Sequence, residues 1–281
     1  MKKLVLVCAA IFVSSIAMGQ INAPQSSPLA KVTQTVGLTD VSLEYSRPAM
    51  KGRSIFGDLV PFDTLWRTGA NANAIITFSD DVTFAGTAVK AGSYAVFTKP
   101  GSSKWEVMLY NDTSNWGTPK PFSDDKVVAT ATVDVNTLRN TQESFTMAIN
   151  ELSTDGAHLQ ISWDKTLVAI PFTVPTTAKT LKSIDQVMKG PSANDYYSAA
   201  TFYLESGKDL KQAREWIAKA VELNPKAFWY LRKQSLIESQ LGDKKAAIAA
   251  ARKSLELATE ANNMDYVKLN KDSLAEWGAK M

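Results

Sequence analysis

The sequence predicts an α+β protein in two parts: an N-terminal antiparallel β-sandwich of jelly-roll-like kind, and a C-terminal all-α region of tetratricopeptide-like helical repeats. Three observations predict this. Between residues 29 and 174, apolar and polar residues alternate in short runs rich in Val, Ile, Thr and aromatics. After Pro175 the apolar spacing becomes three and four, in segments rich in Ala, Leu, Lys and Glu. Within that second part, two pieces superpose at a shift of 34 residues, the period of a helix-turn-helix repeat.

The first element is MKKLVLVCAAIFVSSIAMGQ. Lys2 and Lys3 precede an apolar run from Leu4 to about Val13, and Ala17-Met18-Gly19 supplies small residues three and one before a cut after Gly19. A spanning helix needs ~20 apolar residues, so residues 1–19 are expected to be a signal peptide rather than an anchor. The mature protein is then exported, periplasmic or extracellular, with no transmembrane span. Cys8 follows Val7 inside the apolar run, which does not fit lipid attachment.

Removing residues 1–19 takes away two lysines and no acid, so the formal net charge falls from +3 by two units to +1. That is no field for nucleic acid. It also removes the only cysteine, so the mature chain forms no disulfide and depends on its packed core. A hydrophobic content of 45% with 21% charged residues can build that core. With a single histidine, His158, most zinc and Cys–His sites are excluded; no metal and no cofactor is expected.

Residues 20–175 are expected to form the β-sandwich. Candidate strands are 41–46, 74–79, 82–86, 93–98, 105–110, 129–135, 144–149, 158–163 and 167–174. Turn chemistry separates them, as in Ser79-Asp80-Asp81 and Lys99-Pro100-Gly101-Ser102. Residues 176–192 have the texture of a linker. Residues 193–281 are expected to be the repeats, with Ala213 matching Ala247, Ala220 matching Ser254, and Gly207 and Gly242 near the turns. The repeats would hold a protein partner on an extended surface.

One stretch interrupts the β pattern: SRPAMKGRSIFGDLVPFDTLWRTGANAN, residues 46–73. Ile55, Phe56, Leu59, Val60 and Phe62 suit a packed excursion, and long loops in compact domains are functional or internally packed. Two readings compete. In one, Arg47, Arg53 and Arg67 pin the loop down by pairing with Asp58, Asp63 and main-chain carbonyls. In the other, Arg47, Arg53 and Arg67 join Asn71 and Asn73 around a cleft walled by Trp66, with Trp116 as a second stacking surface. Such a cleft would take a small polar or anionic ligand or a glycan, because guanidinium forks suit oxyanions and amides suit hydroxyls.

The motif SRP-x3-GR-x-IFG-x-LVP, followed by WRTGANAN, AGSYAVFTKPG, KWEVMLYND and the Trp116-Gly117 pair, resembles the bacterial family known as domain of unknown function 2911 over residues 25–175. The resemblance implies a secreted or periplasmic protein, often with a helical-repeat tail, and assigns no activity to any residue. Ala74 stands where that family often has threonine.

Other chemistry is sparse. No G-x-S-x-G elbow or phosphate-cradling glycine loop occurs. Asp58 and Asp63 are the candidates for a carboxylate pair acting on a glycosidic bond. The expected function is a non-enzymatic binding or scaffold protein. The alternatives are an envelope glycan hydrolase using Asp58 and Asp63, and a purely structural assembly factor.

Overall fold

The computed structural model describes residues 23–188 and 190–279. The expected signal peptide, residues 1–19, lies outside the described residues. The chain divides into two compact units between Val174 and Pro175.

Among the described residues the first unit contains ten strands. In chain order they are β1 (Leu29–Val36), β2 (Thr39–Ser46), β3 (Ala74–Phe78), β4 (Val82–Phe84), β5 (Thr87–Val89), β6 (Gly92–Pro100), β7 (Lys104–Tyr110), β8 (Val127–Asp134), β9 (Asn136–Asn150) and β10 (Gly156–Thr173). They form a six-stranded sheet, β1-β2-β3-β6-β7-β8, and a four-stranded sheet, β5-β4-β10-β9. All pairings are antiparallel. One core cluster draws on both sheets: Leu43, Ile76, Val96 and Leu109 from the larger, and Phe84, Met147, Ile161 and Phe172 from the smaller. Period-2 alternation places these side chains on one face of each strand.

Strands β6 and β7 are apolar on both faces. Ala95, Phe97, Met108 and Tyr110 point away from the main core and form a second cluster with Leu65, Phe122 and Val127. This second cover explains why Tyr94–Phe97 and Val107–Tyr110 are nearly continuous apolar runs.

Strand β10 joins the two runs 158–163 and 167–174 into one element of 18 residues. Its buried positions include Ala157, Leu159, Ile161 and Trp163, then Val168, Ile170 and Phe172. The inward parity therefore flips between them. Register shifts against β9 around Asp164, whose φ is +54°, absorb the change. Strands β1 and β5 were not singled out by the pattern. β1 is LAKVTQTV, with mostly exposed or half-buried side chains, and β5 has only three residues.

The loop from 47 to 73 is stitched to both sheets. Ala49 bridges to Ser144 of β9, and Trp66 bridges to Thr98 of β6. Trp66 N donates to Thr98 O at 2.7 Å, and Thr98 N donates back at 2.9 Å. Its apolar residues Ile55 and Val60 are buried in the main core.

The second unit contains α1 (Thr176–Val187), α2 (Ala193–Glu205), α3 (Leu210–Leu223), α4 (Phe228–Gln240), α5 (Lys244–Glu260) and α6 (Met264–Glu276). Helix α1 occupies most of the segment expected as a linker. Helix α2 starts at a capping box, in which Ser192 Oγ accepts from Asp195 N and Asp195 accepts from Ser192 N. Asp209 and Asp243, 34 residues apart, are the N-caps of α3 and α5: Asp209 accepts from Lys211 N and Gln212 N, and Asp243 from Ala246 N. The matched residues Ala213 and Ala247, and Ala220 and Ser254, are all fully buried. Such small side chains let paired helices approach closely, and α2 packs on α3, α4 on α5 and α5 on α6. Among the described residues no helix is long and apolar enough to cross a membrane.

Candidate functional site

The loop presents its three arginines in different ways. Arg47 Nε donates to Phe145 O at 3.0 Å, and its Nη2 donates to Thr146 Oγ1 at 2.8 Å. Arg47 thus anchors the loop to β9 and lines no cavity described here. Arg53 Nε donates to Met50 O at 2.9 Å, and its Nη2 to Ala49 O at 2.6 Å. It braces the loop yet remains exposed. Arg67 differs from both: its Nε is buried with no hydrogen-bond partner among the described residues.

Arg53 and Arg67 line one cavity of about 390 Å³, together with Lys51, Trp66 and Trp163. Main-chain and small residues complete it, among them Ser26, Ser27, Pro48, Gly69 and Ala70. No carboxylate lines it, and among the described residues no ion pair joins Lys51, Arg53 or Arg67 to an acid. Glu143 Oε1 accepts from Lys51 N at 2.9 Å.

The aromatic wall is packed into a cluster of rings. Trp66 stacks on Trp163 with ring centroids 6.2 Å apart and an interplanar angle of 14°. Edge contacts tie Trp66 to Phe56, Trp105 and Phe145. Its Nε1 donates to Gly69 O at 3.2 Å. Trp66 therefore belongs to the core and to the cavity wall at once.

Backbone strain concentrates at the same place. Thr68 has φ +60° and Asn71 φ +60°, conformations that side-chain-bearing residues rarely adopt, and Thr68 is fully buried. Thr68 Oγ1 donates to Thr98 Oγ1 at 3.2 Å and so locks the turn to β6. Gly69 has φ +129°, and a Cβ there would lie 3.0 Å from Ser46 O. Strained backbone of this kind clusters at functional sites.

The remaining candidates lie elsewhere. Asn71 and Trp116 line a second hollow of about 610 Å³, with Ser26 and Ser27 shared between the two. Asn71 Nδ2 donates to Ser27 O at 3.3 Å and to Ser46 Oγ at 3.2 Å. Asn73 is only 3% exposed and lines neither hollow; its main-chain N donates to Asn115 O at 3.2 Å. Its role in the geometry is to hold the 111–117 loop. Asp58 is exposed in the turn after Ile55 and lines no described cavity. Asp63 lines a third hollow, of about 410 Å³, with Lys99, Lys104 and Glu106. No ion pair links Asp58 or Asp63 to the three arginines among the described residues; Phe145 O and the Thr146 hydroxyl hold Arg47, and main-chain carbonyls hold Arg53. His158 sits on β10 with its Nδ1 3.0 Å from Glu151 Oε2, at the far end of the β9–β10 hairpin from Asp164.

Sequence reasoning missed Lys51, Trp163, Ser26 and Ser27. Lys51 falls in the variable part of the SRP-x3-GR motif. Trp163 has the inward parity of a core residue, and nothing in its strand marks it as a cavity wall. Ser26 and Ser27 precede β1 in a stretch with no pattern. Among the described residues, no group of three or more His, Cys, Asp or Glu side chains could hold a metal ion.

No curated protein and no solved structure matches the chain. The model of the family described as protein of unknown function (DUF2911) matches residues 27–172, which is 146 of the 281 residues, and the chain belongs to that family.

Proposed function

We propose that this is an exported, non-enzymatic binding protein whose β unit captures a small anionic ligand in the cavity of Lys51, Arg53, Trp66, Arg67 and Trp163. The observation that carries this reading is Arg67. A buried guanidinium nitrogen without a partner is costly to keep, and here it belongs to a side chain lining a cavity with two further cations and no acid. A carboxylate or phosphate in the cavity would pair with the Arg67 guanidinium as a whole, in a charge-assisted interaction. The volume falls in the usual range for small-ligand sites, roughly 300–1,000 Å³.

The helices α2–α6 are read as a tetratricopeptide-like array that holds a protein partner. The 34-residue offset between equivalent caps and buried small residues supports the repeat. The signal-like N-terminus supports export to the periplasm or beyond.

Support for the purely structural alternative comes from Arg47 and Arg53, whose bonds to main-chain oxygens and to the Thr146 hydroxyl make part of the loop a plug. The hydrolase alternative lacks a paired geometry: Asp58 and Asp63 share no described cavity, whereas glycoside hydrolysis needs two carboxyl groups facing each other across the sugar.

Calorimetric titration of the mature protein with galacturonate, citrate and inorganic phosphate tests the reading. At least one of these anions should bind, and Arg67→Ala should abolish that binding while leaving the melting temperature within a few degrees of wild type. Absence of binding by all three, or binding that survives Arg67→Ala, would refute it.

A further inference from the structure

The cationic cavity and the second hollow differ sharply in chemistry. The cavity carries Lys51, Arg53 and Arg67. The hollow is lined by Gln25, Ser26, Ser27, Ser46, Asn71 and Trp116, with small and apolar residues between them and no ionised side chain. Hydroxyls and amides dominate its polar groups, which is the inventory that matches ligand hydroxyls rather than ligand charge.

Trp116 is the largest apolar side chain left in the open, at 81% exposed, and among the described residues no other ring contacts it. The seven-residue loop 111–117 is nevertheless ordered around it. Asp112 Oδ1 accepts from Ser114 N at 3.1 Å and from Ser114 Oγ at 2.7 Å, and Asp112 O accepts from Asn115 Nδ2 at 2.9 Å. Asn115 O in turn accepts from Asn73 N. The loop holds an indole ring out beside hydroxyl and amide groups. An exposed aromatic face of this kind suits the C–H face of a pyranose ring, apolar on one side and rimmed by hydroxyls.

The two hollows adjoin. Ser26 and Ser27 line both. Arg67, in the cavity, brings its Nη1 to 3.7 Å from where a Cβ on Gly117 would sit, next to Trp116. Gly117 has φ +95°, so the turn that brings the Trp116 segment back past Arg67 favours glycine. Together the volumes exceed what a single sugar needs. Asn71 uses its Nδ2 on Ser27 O and Ser46 Oγ, which leaves its Oδ1 to accept from a ligand hydroxyl at the boundary.

We infer that the ligand is a uronate-containing oligosaccharide of two or more units: the carboxylate of one unit pairs with Arg67, and the neighbouring ring stacks on Trp116 over the neutral hollow. This rests on the anion-binding reading of the Arg67 cavity and extends it to a substrate class and a second subsite. Binding is non-covalent, so no bond is made or broken.

The test compares galacturonate, tetragalacturonate and the neutral maltotetraose by calorimetry on the mature full-length protein. Wild type should bind tetragalacturonate about tenfold more tightly than galacturonate, an increment of the size expected for one aromatic stacking contact, and should not bind maltotetraose. Trp116→Ala, at an exposed position that does not support the core, should bring the tetramer-to-monomer affinity ratio close to one. A wild-type ratio near one, or a ratio unaffected by Trp116→Ala, would overturn the oligosaccharide inference while leaving the anion reading in place. Absence of galacturonate and tetragalacturonate binding alike would overturn the inference whatever other anion binds. Capture of maltotetraose as tight as that of the acidic tetramer would overturn the role of Arg67 in both.

Discussion

Arg47 directs two donors onto β9, through Phe145 O and Thr146 Oγ1, whereas Arg67, twenty residues on, leaves Nε buried and unpartnered. The two substitutions Arg47→Met and Arg67→Met should therefore separate cleanly in urea unfolding. Arg47→Met strips two acceptors of their charged donor and should cost about 1–3 kcal/mol. Arg67→Met removes a polar nitrogen that has no partner, so it should be neutral or slightly stabilising, within about 0.5 kcal/mol. Equal losses in both variants would show that Arg67 is a structural pin like Arg47. The sequence presents both side chains in the same way: arginine beside proline or tryptophan in a loop of irregular pattern. Which of them meets a carbonyl depends on β9, almost a hundred residues away, and no local pattern encodes that pairing. Asp58 and Asp63 show the converse. Their proximity in sequence suggested partners for the arginines, but the carbonyls of Ala49 and Met50 lie closer to Arg53 along the chain and take its bonds instead.

At the scale of elements, alternation made most strands legible, because one face of each meets a single core. It fell short where the face changed. The runs 158–163 and 167–174 look like two strands because their inward parities differ, and only the register shifts at Asp164 reveal one element. Helix α1 was hidden for another reason: TTAKTLKSIDQV opens with two threonines and carries only Leu181, Ile184 and Val187 as large apolar residues, at a spacing of three. The 111–117 loop had no legible structure at all, yet it depends on one carboxylate. Asp112 is held down to about 2 by hydrogen bonds from Lys126 and Ser114. A carboxyl whose folded value is depressed contributes its stabilisation in full above its ordinary value near 3.8, and loses it as pH falls towards the folded value. Acidification from pH 4 to pH 2 should thus loosen this loop. The protection factor of Ser114 N, from hydrogen exchange followed by NMR and corrected for the intrinsic rate at each pH, should fall over that window, and Asp112→Asn should show the lower protection already at pH 7. A protection factor that is flat from pH 5 to pH 2 would exclude Asp112 as the organiser of the loop that carries Trp116.

For the whole molecule, the change of period near Pro175 coincides with a physical division: the β core gathers Val36 to Val174, while the helical core gathers Ala200 to Ile237, and the two clusters share no residue. Each unit has the attributes of an independent folding domain, with its own apolar interior and its own capped or paired elements. A chain of residues 20–175 should accordingly fold alone and unfold in one cooperative transition by circular dichroism, and the anion affinity proposed for the Arg67 cavity should be the same in this fragment as in the full-length protein within about threefold. Residues 176–281 should form helix alone, and on the proposed repeat reading their melting should be broader, because stacked repeats couple mainly to their neighbours. An unfolded β fragment would refute the independence of that unit, and a fragment that folds but fails to bind an anion captured by the full-length protein would refute the assignment of the cavity to the β unit alone.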